Sequence, residues 1–202
     1  MSLHKLISRK ALTLIELLLA ASLMGLIMVT AASIEVDIRN YYFASDREAQ
    51  LQLRLSSTLE HMAKRIHTAV GDVNNVPVES YSDNRGIMIW VDTPANPGVR
   101  DHRIGYRHEG NLLRFCNNVA NPGNPALDTW ENIAVNILTT DFAQPVNTWG
   151  LVIDYDPVVA NGRINVLTIT LRNRFNPANT VSLDNPQVEL TTYLHMPSVS
   201  VN

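Results

Sequence analysis

The feature of the sequence that most restricts its fold is an apolar run near the N-terminus, residues 12–34, which holds a single carboxylate, Glu16. As a helix this run is about 35 Å long at ~1.5 Å per residue, which matches a bilayer hydrocarbon core of roughly 30 Å. Three basic residues and no acid precede it, namely Lys5, Arg9 and Lys10. Because basic flanks stay in the cytoplasm, the pattern predicts a single-pass membrane protein whose remaining chain lies outside the cytoplasm.

A cleaved secretory signal is the alternative interpretation of this N-terminus. Such signals have an apolar core of about 7–15 residues that ends at a small-x-small cleavage pattern. The run at 12–34 is longer, and an amphipathic pattern follows it without a break. The sequence therefore favours a retained membrane segment.

Composition restricts which partners the protein can bind and whether disulfide bonds can stabilise it. The chain has 202 residues, enough for one membrane segment and one modest domain. Its formal net charge is −3 and only 17% of its residues are charged, so no basic field indicates nucleic acid, and no nucleic-acid partner is expected. Cys116 is the single cysteine, which excludes an internal disulfide.

The helical pattern extends far beyond the apolar run, since neither Pro nor Gly occurs between Ile34 and Gly71. Apolar residues recur at spacings of four, four, three, four and four, which defines one face of a helix. Stop signals at 71–77 predict where this helix ends, so residues 12–69 form one continuous helix. The apolar positions are Leu51, Leu55, Leu59, Met62, Ile66 and Val70.

After residue 77 the sequence changes to short β-rich runs that are separated by Asn, Pro and Gly. We expect an α+β fold in which a long N-terminal α-helix, half transmembrane and half amphipathic, packs on an antiparallel β-sheet head. The predicted strands are 86–92, a hairpin at 103–116 with its turn at 109–111, 132–138, 149–155, 163–173 and 187–196.

The segment Thr13-Leu14-Ile15-Glu16-Leu17, between a basic leader and a long apolar helix, resembles the N-terminus of type IV pilins and type II secretion pseudopilins. The family pattern is Gly, a cleavage point, Phe and then TLIEL; here Ala11 and Leu12 stand in place of Gly and Phe. The resemblance implies that a membrane prepilin peptidase cleaves between Ala11 and Leu12, and that the new N-terminus, Leu12, is N-methylated.

The resemblance also implies a role for Glu16. Cleavage would create an α-amine at Leu12 that is mostly cationic at neutral pH. Glu16 can meet the amine of a neighbouring subunit, and pairing recovers much of the desolvation cost of both charges. Only one axial stagger allows this assembly salt bridge, so Glu16 would set the register. The alternative is an acid near a membrane interface that is neutralised by protonation.

Two segments of the predicted head, RIGYRHEGNLLRF at 103–115 and WENIAVNILTTDF at 130–142, are similar to J-type minor pseudopilins of type II secretion and to W-type minor pilins. This resemblance implies a minor subunit that helps to start or cap a filament. Its partners would be other minor and major pilins or pseudopilins, bound through helix residues 12–50, together with the prepilin peptidase and an inner-membrane assembly platform. The implied organisation is a leader peptide at 1–11, a transmembrane and assembly half of the helix at 12–34, an amphipathic half at 35–70, and a periplasmic β-rich head at 71–202.

Other candidate sites are weak. The six histidines show no HExxH or similar metal-ligand spacing. Cys116 is predicted to be a half-buried structural thiol. No P-loop or GxGxxG motif for nucleotide binding occurs. We therefore expect no enzyme activity and no cofactor. Asp72, Asn74 and Asp83 are a minor calcium candidate. The arginines at 100, 103, 107 and 114 indicate alternating surface charge rather than a basic patch. A different class of function stays open, a membrane-anchored periplasmic binding module or enzyme with no filament role.

Overall fold

The computed structural model describes residues 13–70, 77–81, 85–92, 101–138, 150–155 and 166–195. Helix α1 runs from Leu14–Ile66. The chain divides into two compact units, Met1–Phe43 and Ala44–Asn202.

Helix α1 ends earlier than the predicted position at residue 69. After Ile66 the backbone turns, and Ala69 forms an isolated antiparallel bridge with Val91. The Val70 N–H donates to the Trp90 carbonyl at 2.8 Å. Pairing with a strand thus satisfies the backbone that the sequence pattern had assigned to a last helical turn.

The first sheet has five antiparallel strands in chain order, with each strand beside the next. The hairpin predicted at 103–116 is confirmed, with Gly110 at φ 61° in its two-residue turn; a glycine in this conformation at the first turn position is typical of type II′ hairpins. The strands are β1 (Val78–Ser80), β2 (Gly86–Val91), β3 (His102–Glu109), β4 (Leu112–Cys116) and β5 (Glu131–Val135), and a short 3-10 helix at Pro125–Leu127 precedes β5.

A second, three-stranded antiparallel sheet contains β6 (Leu151–Tyr155), β7 (Val166–Arg174) and β8 (Gln187–His195), with β7 in the centre. The antiparallel strands of the head are thus divided between two sheets. The chain leaves β5 at Asn136, whose backbone is left-handed at φ 63°, and Ile137 then bridges to Asn173 on β7. Asn tolerates this conformation better than most residues, and the Asn136 side-chain amide donates to the Phe175 carbonyl at 3.1 Å.

The second unit has one main apolar core between α1 and both sheets. Five of the six predicted helix-face positions are buried, at most 7% exposed, and Val70 is half-buried. The predicted α+β class, with a long helix packed on antiparallel strands, is confirmed. The helix residues in the core are Leu51, Leu55, Leu59, Met62 and Ile66, and strand residues such as Ile87, Ile104, Leu113, Leu167 and Leu171 face them.

Candidate functional site

The start of helix α1 is closed by a reciprocal pair of hydrogen bonds between Thr13 and Glu16. The Thr13 N–H and hydroxyl each donate to Glu16 Oε2 at 2.9 Å, and the Glu16 N–H lies 3.4 Å from Thr13 Oγ1. The Thr13 carbonyl accepts the first helical bond from Leu17 at 3.2 Å. This is a capping box, which satisfies backbone donors that the first helical turn leaves without partners.

The capping box was missed in the sequence, although its signal was present. Thr13-x-x-Glu16 before an apolar run is the pattern that marks a helix N-terminus. Glu16 therefore has a structural role inside its own chain, and the positive end of the helix dipole also favours a carboxylate at this position. The predicted cleavage site between Ala11 and Leu12, and with it the Leu12 amine that is expected to pair with Glu16 of a neighbouring subunit, lies outside the described residues.

The geometry leaves Glu16 able to make a second interaction. Both hydrogen bonds from Thr13 reach Oε2, and within the described part of the chain Oε1 accepts none. The side chain is exposed. A carboxylate held by one oxygen at a helix end, with the other oxygen accessible, can accept a hydrogen bond from a cationic donor.

The helix beyond this cap presents apolar side chains on all sides. Every residue from Thr13 to Phe43 is exposed, and an 18-residue window has a mean hydropathy of 2.2 with none of its residues buried. The helix is thus long and apolar enough to span a membrane. A helix that is apolar all round needs an apolar environment.

The few polar side chains in the apolar part bond to their own helix. The hydroxyls of Ser22, Thr30 and Ser33 donate to carbonyls three or four residues earlier, at 2.8–3.1 Å. Such back-bonding removes the cost of placing a hydroxyl in hydrocarbon. Glu16 is the one ionisable residue between Leu14 and Ile34, and the next, Glu35, forms an ion pair with Arg39.

Three aromatic residues follow, Tyr41, Tyr42 and Phe43, and all are at least 62% exposed. Amphipathic rings suit a boundary between apolar and aqueous surroundings. We therefore expect these three rings to lie near a membrane surface or between subunits.

His61 packs against the first sheet from helix α1. Its Nδ1 lies 3.0 Å from the Tyr106 hydroxyl, and its ring meets that of Phe115 edge-on at 5.0 Å. Burial, and then the charges of Arg65 and Lys64, lower the pKa of His61. The structure places this histidine in a packing role.

Cys116 is 1% exposed and therefore more deeply buried than the half-buried thiol that was expected. It lies in a small second cluster with Tyr81, Met88 and Val119. Its thiol donates to the Asn118 carbonyl at 3.1 Å, and burial raises its pKa. A protonated, bonded and buried thiol is unsuited to nucleophilic chemistry.

Three of the four arginines considered in the sequence share the outer face of the first sheet. The Arg103 and Arg107 guanidinium groups stack over Trp90 and Tyr81, at 4.7 Å and 5.5 Å from the ring centres. Arg114 forms an ion pair with Glu109. Each of these three guanidinium groups thus contacts an aromatic ring or a carboxylate. Arg100 lies outside the described residues.

No cluster of three or more His, Cys, Asp or Glu side chains that could hold a metal ion occurs among the described residues. The calcium candidates Asp72, Asn74 and Asp83 lie outside those residues.

Comparison with protein-family models, curated proteins and solved structures gives no match for this chain. The candidate site is therefore defined by the residues of this chain alone. It is a capped, accessible carboxylate at the start of an exposed apolar helix.

Proposed function

We propose that this protein is a minor pilin-like subunit that assembles through its N-terminal helix into a type IV pilus or a type II secretion pseudopilus. The observation that carries the proposal is the apolar part of α1, which begins with a capped carboxylate and is exposed throughout in the part of the chain that the structure describes. The TLIEL sequence at 13–17 supports the same interpretation. A role in filament initiation or in the tip complex is part of the proposal.

The proposed mechanism begins in the inner membrane. The prepilin peptidase removes residues 1–11, Leu12 is methylated, and the apolar helix holds the subunit in the bilayer with its β-rich head in the periplasm. On assembly the helix exchanges lipid for neighbouring pilin helices. Glu16 then pairs with the Leu12 amine of the adjoining subunit, and this pairing offsets the cost of removing both charges from water.

The capping box gives Glu16 a defined position before assembly. Because Thr13 holds Oε2, the carboxylate has little rotamer freedom left to lose when it meets the amine. In this scheme Thr13 orients the group and Glu16 makes the intersubunit contact.

Two substitutions separate the cap from the charge. Glu16→Gln keeps a side chain that can complete a capping box but removes the negative charge. Thr13→Val removes the hydroxyl of the cap but keeps the carboxylate. We expect Glu16→Gln to lower filament incorporation strongly and Thr13→Val to lower it weakly. Subunit content of sheared filaments and crosslinking to neighbouring pilins measure incorporation, and total membrane levels serve as the control.

The mature N-terminus is the second measurement. Mass spectrometry of the protein from cells with prepilin peptidase should find a chain that begins at Leu12 and carries one methyl group. An intact leader, or equal incorporation of Glu16→Gln and wild type, would contradict the proposal. An unprocessed monomer would favour a membrane-anchored periplasmic binding module or enzyme.

A further inference from the structure

The loop between strands β7 and β8, residues 175–186, closes on itself. The Phe175 N–H donates to the Pro186 carbonyl at 3.1 Å, so the two ends of the loop lie side by side. Compact surface loops whose ends meet in this way, and whose own side chains fill them, are often functional. We call these residues the β7–β8 loop.

The interior of the β7–β8 loop is polar. The Asn185 side chain is buried, and its Nδ2 lies 2.8–3.2 Å from the carbonyl oxygens of Asn176, Asn179 and Thr180. Its Oδ1 accepts a hydrogen bond from the Asn176 N–H at 2.6 Å. One side chain thus satisfies several backbone groups and fixes the course of the loop from inside.

The aliphatic side chains of the loop are on its outside. Val181 and Leu183 are 57% and 59% exposed. They lie on either side of Ser182, whose N–H and carbonyl bond to the carbonyl and N–H of Asn185 at 3.2 Å and 3.1 Å. One exposed aliphatic side chain is ordinary. Two at the tip of an internally bonded loop, whose interior is taken by an asparagine, form a small apolar surface that is held in place.

Arg47 attaches the loop to helix α1. Its Nη1 donates to the Asp184 carbonyl at 2.6 Å, and its guanidinium group lies 4.6 Å from the centre of the Phe175 ring. Arg47 is in the first turn that α1 contributes to the second unit, which begins at Ala44. The loop therefore contacts that part of the second unit from which the chain leads back to the exposed apolar portion of the helix.

Charge does not keep the tip of the loop away from an apolar surface. Asp184 is the only ionisable residue in the loop, and its Oδ1 lies 3.9 Å from Arg47 Nη1, so the two charges offset each other. Aliphatic side chains without a net charge suit the boundary between lipid headgroups and acyl chains, where amphipathic elements bury their apolar side.

The sequence before Arg47 supports a membrane as the partner of this surface. Phe43, the last of three exposed aromatic residues, precedes Arg47 by four residues, about 6 Å along a helix. The other two are Tyr41 and Tyr42, and tyrosine side chains are enriched at the level of the lipid headgroups. With these rings at that level, a loop attached at Arg47 is within reach of the same layer.

We propose that the tip of the β7–β8 loop, Val181 and Leu183, lies in the lipid interface of the membrane that α1 spans. The head would then have two attachments to the membrane, the helix and the loop, and Arg47 would join them. This inference rests on the membrane anchoring in the proposed function, but not on leader cleavage or on filament assembly.

The test places a fluorophore at the tip of the loop in the full chain. Leu183→Cys is labelled with a polarity-sensitive dye, and the protein is reconstituted in phosphatidylcholine vesicles with a single chain in most vesicles. Nitroxides on the lipid headgroups quench a dye that lies in the interface. Wild type, whose Cys116 is buried, reports background labelling.

Two further positions serve as controls. Leu127→Cys is matched in exposure, 68% against 59%, and lies in the 3-10 helix that precedes β5 of the first sheet. Leu23→Cys, in the exposed apolar part of α1, reports whether the helix itself is in lipid, through quenching by nitroxides on the acyl chains.

We expect headgroup nitroxides to quench the dye at position 183 at least about threefold more than at position 127, because only the first would lie in the interface. Arg47→Ala, added to Leu183→Cys, should lower this quenching, since the loop loses its contact with α1. Arg54→Ala, which replaces an exposed arginine of the same helix, should leave the quenching unchanged.

Three outcomes would contradict these expectations. Strong quenching at position 23 with equal, weak quenching at positions 183 and 127 would overturn this inference and leave the proposed function intact. Quenching at position 183 that appears only when several chains share a vesicle would assign the tip to a protein neighbour and would also overturn it. Absence of quenching at position 23 would contradict the membrane anchoring, and with it both proposals.

Discussion

The two portions of helix α1, which belong to different units, differ in how far their apolar side chains are exposed. In the portion before Ala44 the large apolar side chains are 49–79% exposed, from Leu14 to Phe43. In the portion after it, Leu55, Met62 and Ile66 are fully buried against strands of their own chain. The same secondary structure therefore serves two purposes: the later portion completes a core, and the earlier portion offers a surface for an apolar environment.

The polar residues of the two portions differ in the same sense. Hydroxyls in the earlier portion return to the helix backbone, as at Ser22 and Thr30, and the apolar run has one carboxylate. The later portion carries charged residues at many exposed positions, such as Glu48, Arg54 and Lys64, where water solvates them. Side-chain chemistry thus agrees with apolar surroundings as far as Ile34 and with water in the later portion.

The largest expected difference between the two portions is in stability. Leu55→Ala should lower the free energy of unfolding by about 2–5 kcal/mol, because it leaves a cavity in the core. Leu23→Ala, in the exposed portion, should change it by less than about 0.5 kcal/mol. Denaturant titration of the full chain in detergent, followed by tryptophan fluorescence, measures this, since all three tryptophans lie after Ala44. Similar losses of unfolding free energy for both substitutions would contradict the division of α1 into a buried and an exposed portion.

A pH effect of intermediate size should arise in the second unit. Burial, and then the charge of Arg85, lower the pKa of His108 to about 4 from its ordinary value of 6.5. Between these values the unfolded chain binds a proton that the folded chain does not, so stability falls as pH falls. From pH 7 to pH 5 this one group should remove about 2 kcal/mol.

Thermal melts at the two pH values check this effect. His108→Leu should reduce the pH dependence, and the exposed His67→Gln should leave it unchanged. The described part of the helix before Ala44 has no histidine, so no comparable effect is expected there. An undiminished pH dependence in His108→Leu would show that other groups cause it.

The smallest expected effect concerns the polar contact between helix and sheet. Tyr106→Phe removes the contact with His61 and should lower the free energy of unfolding by about 1 kcal/mol. Tyr42→Phe deletes an exposed hydroxyl before Ala44 and should have no measurable effect. The same fluorescence titration compares them, and an equal response of both variants would mean that the hydroxyl of Tyr106 contributes nothing beyond its ring.

Periodic elements were predictable from the sequence because their signals are local. The helix face from Leu51 to Ile66 follows from spacing alone, and the hairpin turn follows from Gly110 between two apolar runs. Strand β1 was missed because three residues carry no periodicity. The division into two sheets depends on Asn136, whose left-handed backbone is one option among several for an asparagine in a loop.

The candidate site was predictable in part. Glu16 was conspicuous because a charge in an apolar run has few tolerable explanations, whereas its bond to Thr13 was overlooked although the spacing indicates a cap. The place of β8 at the end of its sheet, among the described strands, could not be inferred at all, since a strand pattern does not say whether the strand lies at the centre or at the margin of a sheet.

The apolar and amphipathic portions of the helix, the position of the single carboxylate in the apolar run and the α+β class follow from the sequence alone, because periodicity and local capping act between residues a few positions apart. Which strands became neighbours, which of the described strands lie at the sheet edges, and how deeply Cys116 and His108 are buried depended on the tertiary structure. Those properties depend on contacts between residues that are distant in the chain, and competition among such contacts is settled only when the whole core packs.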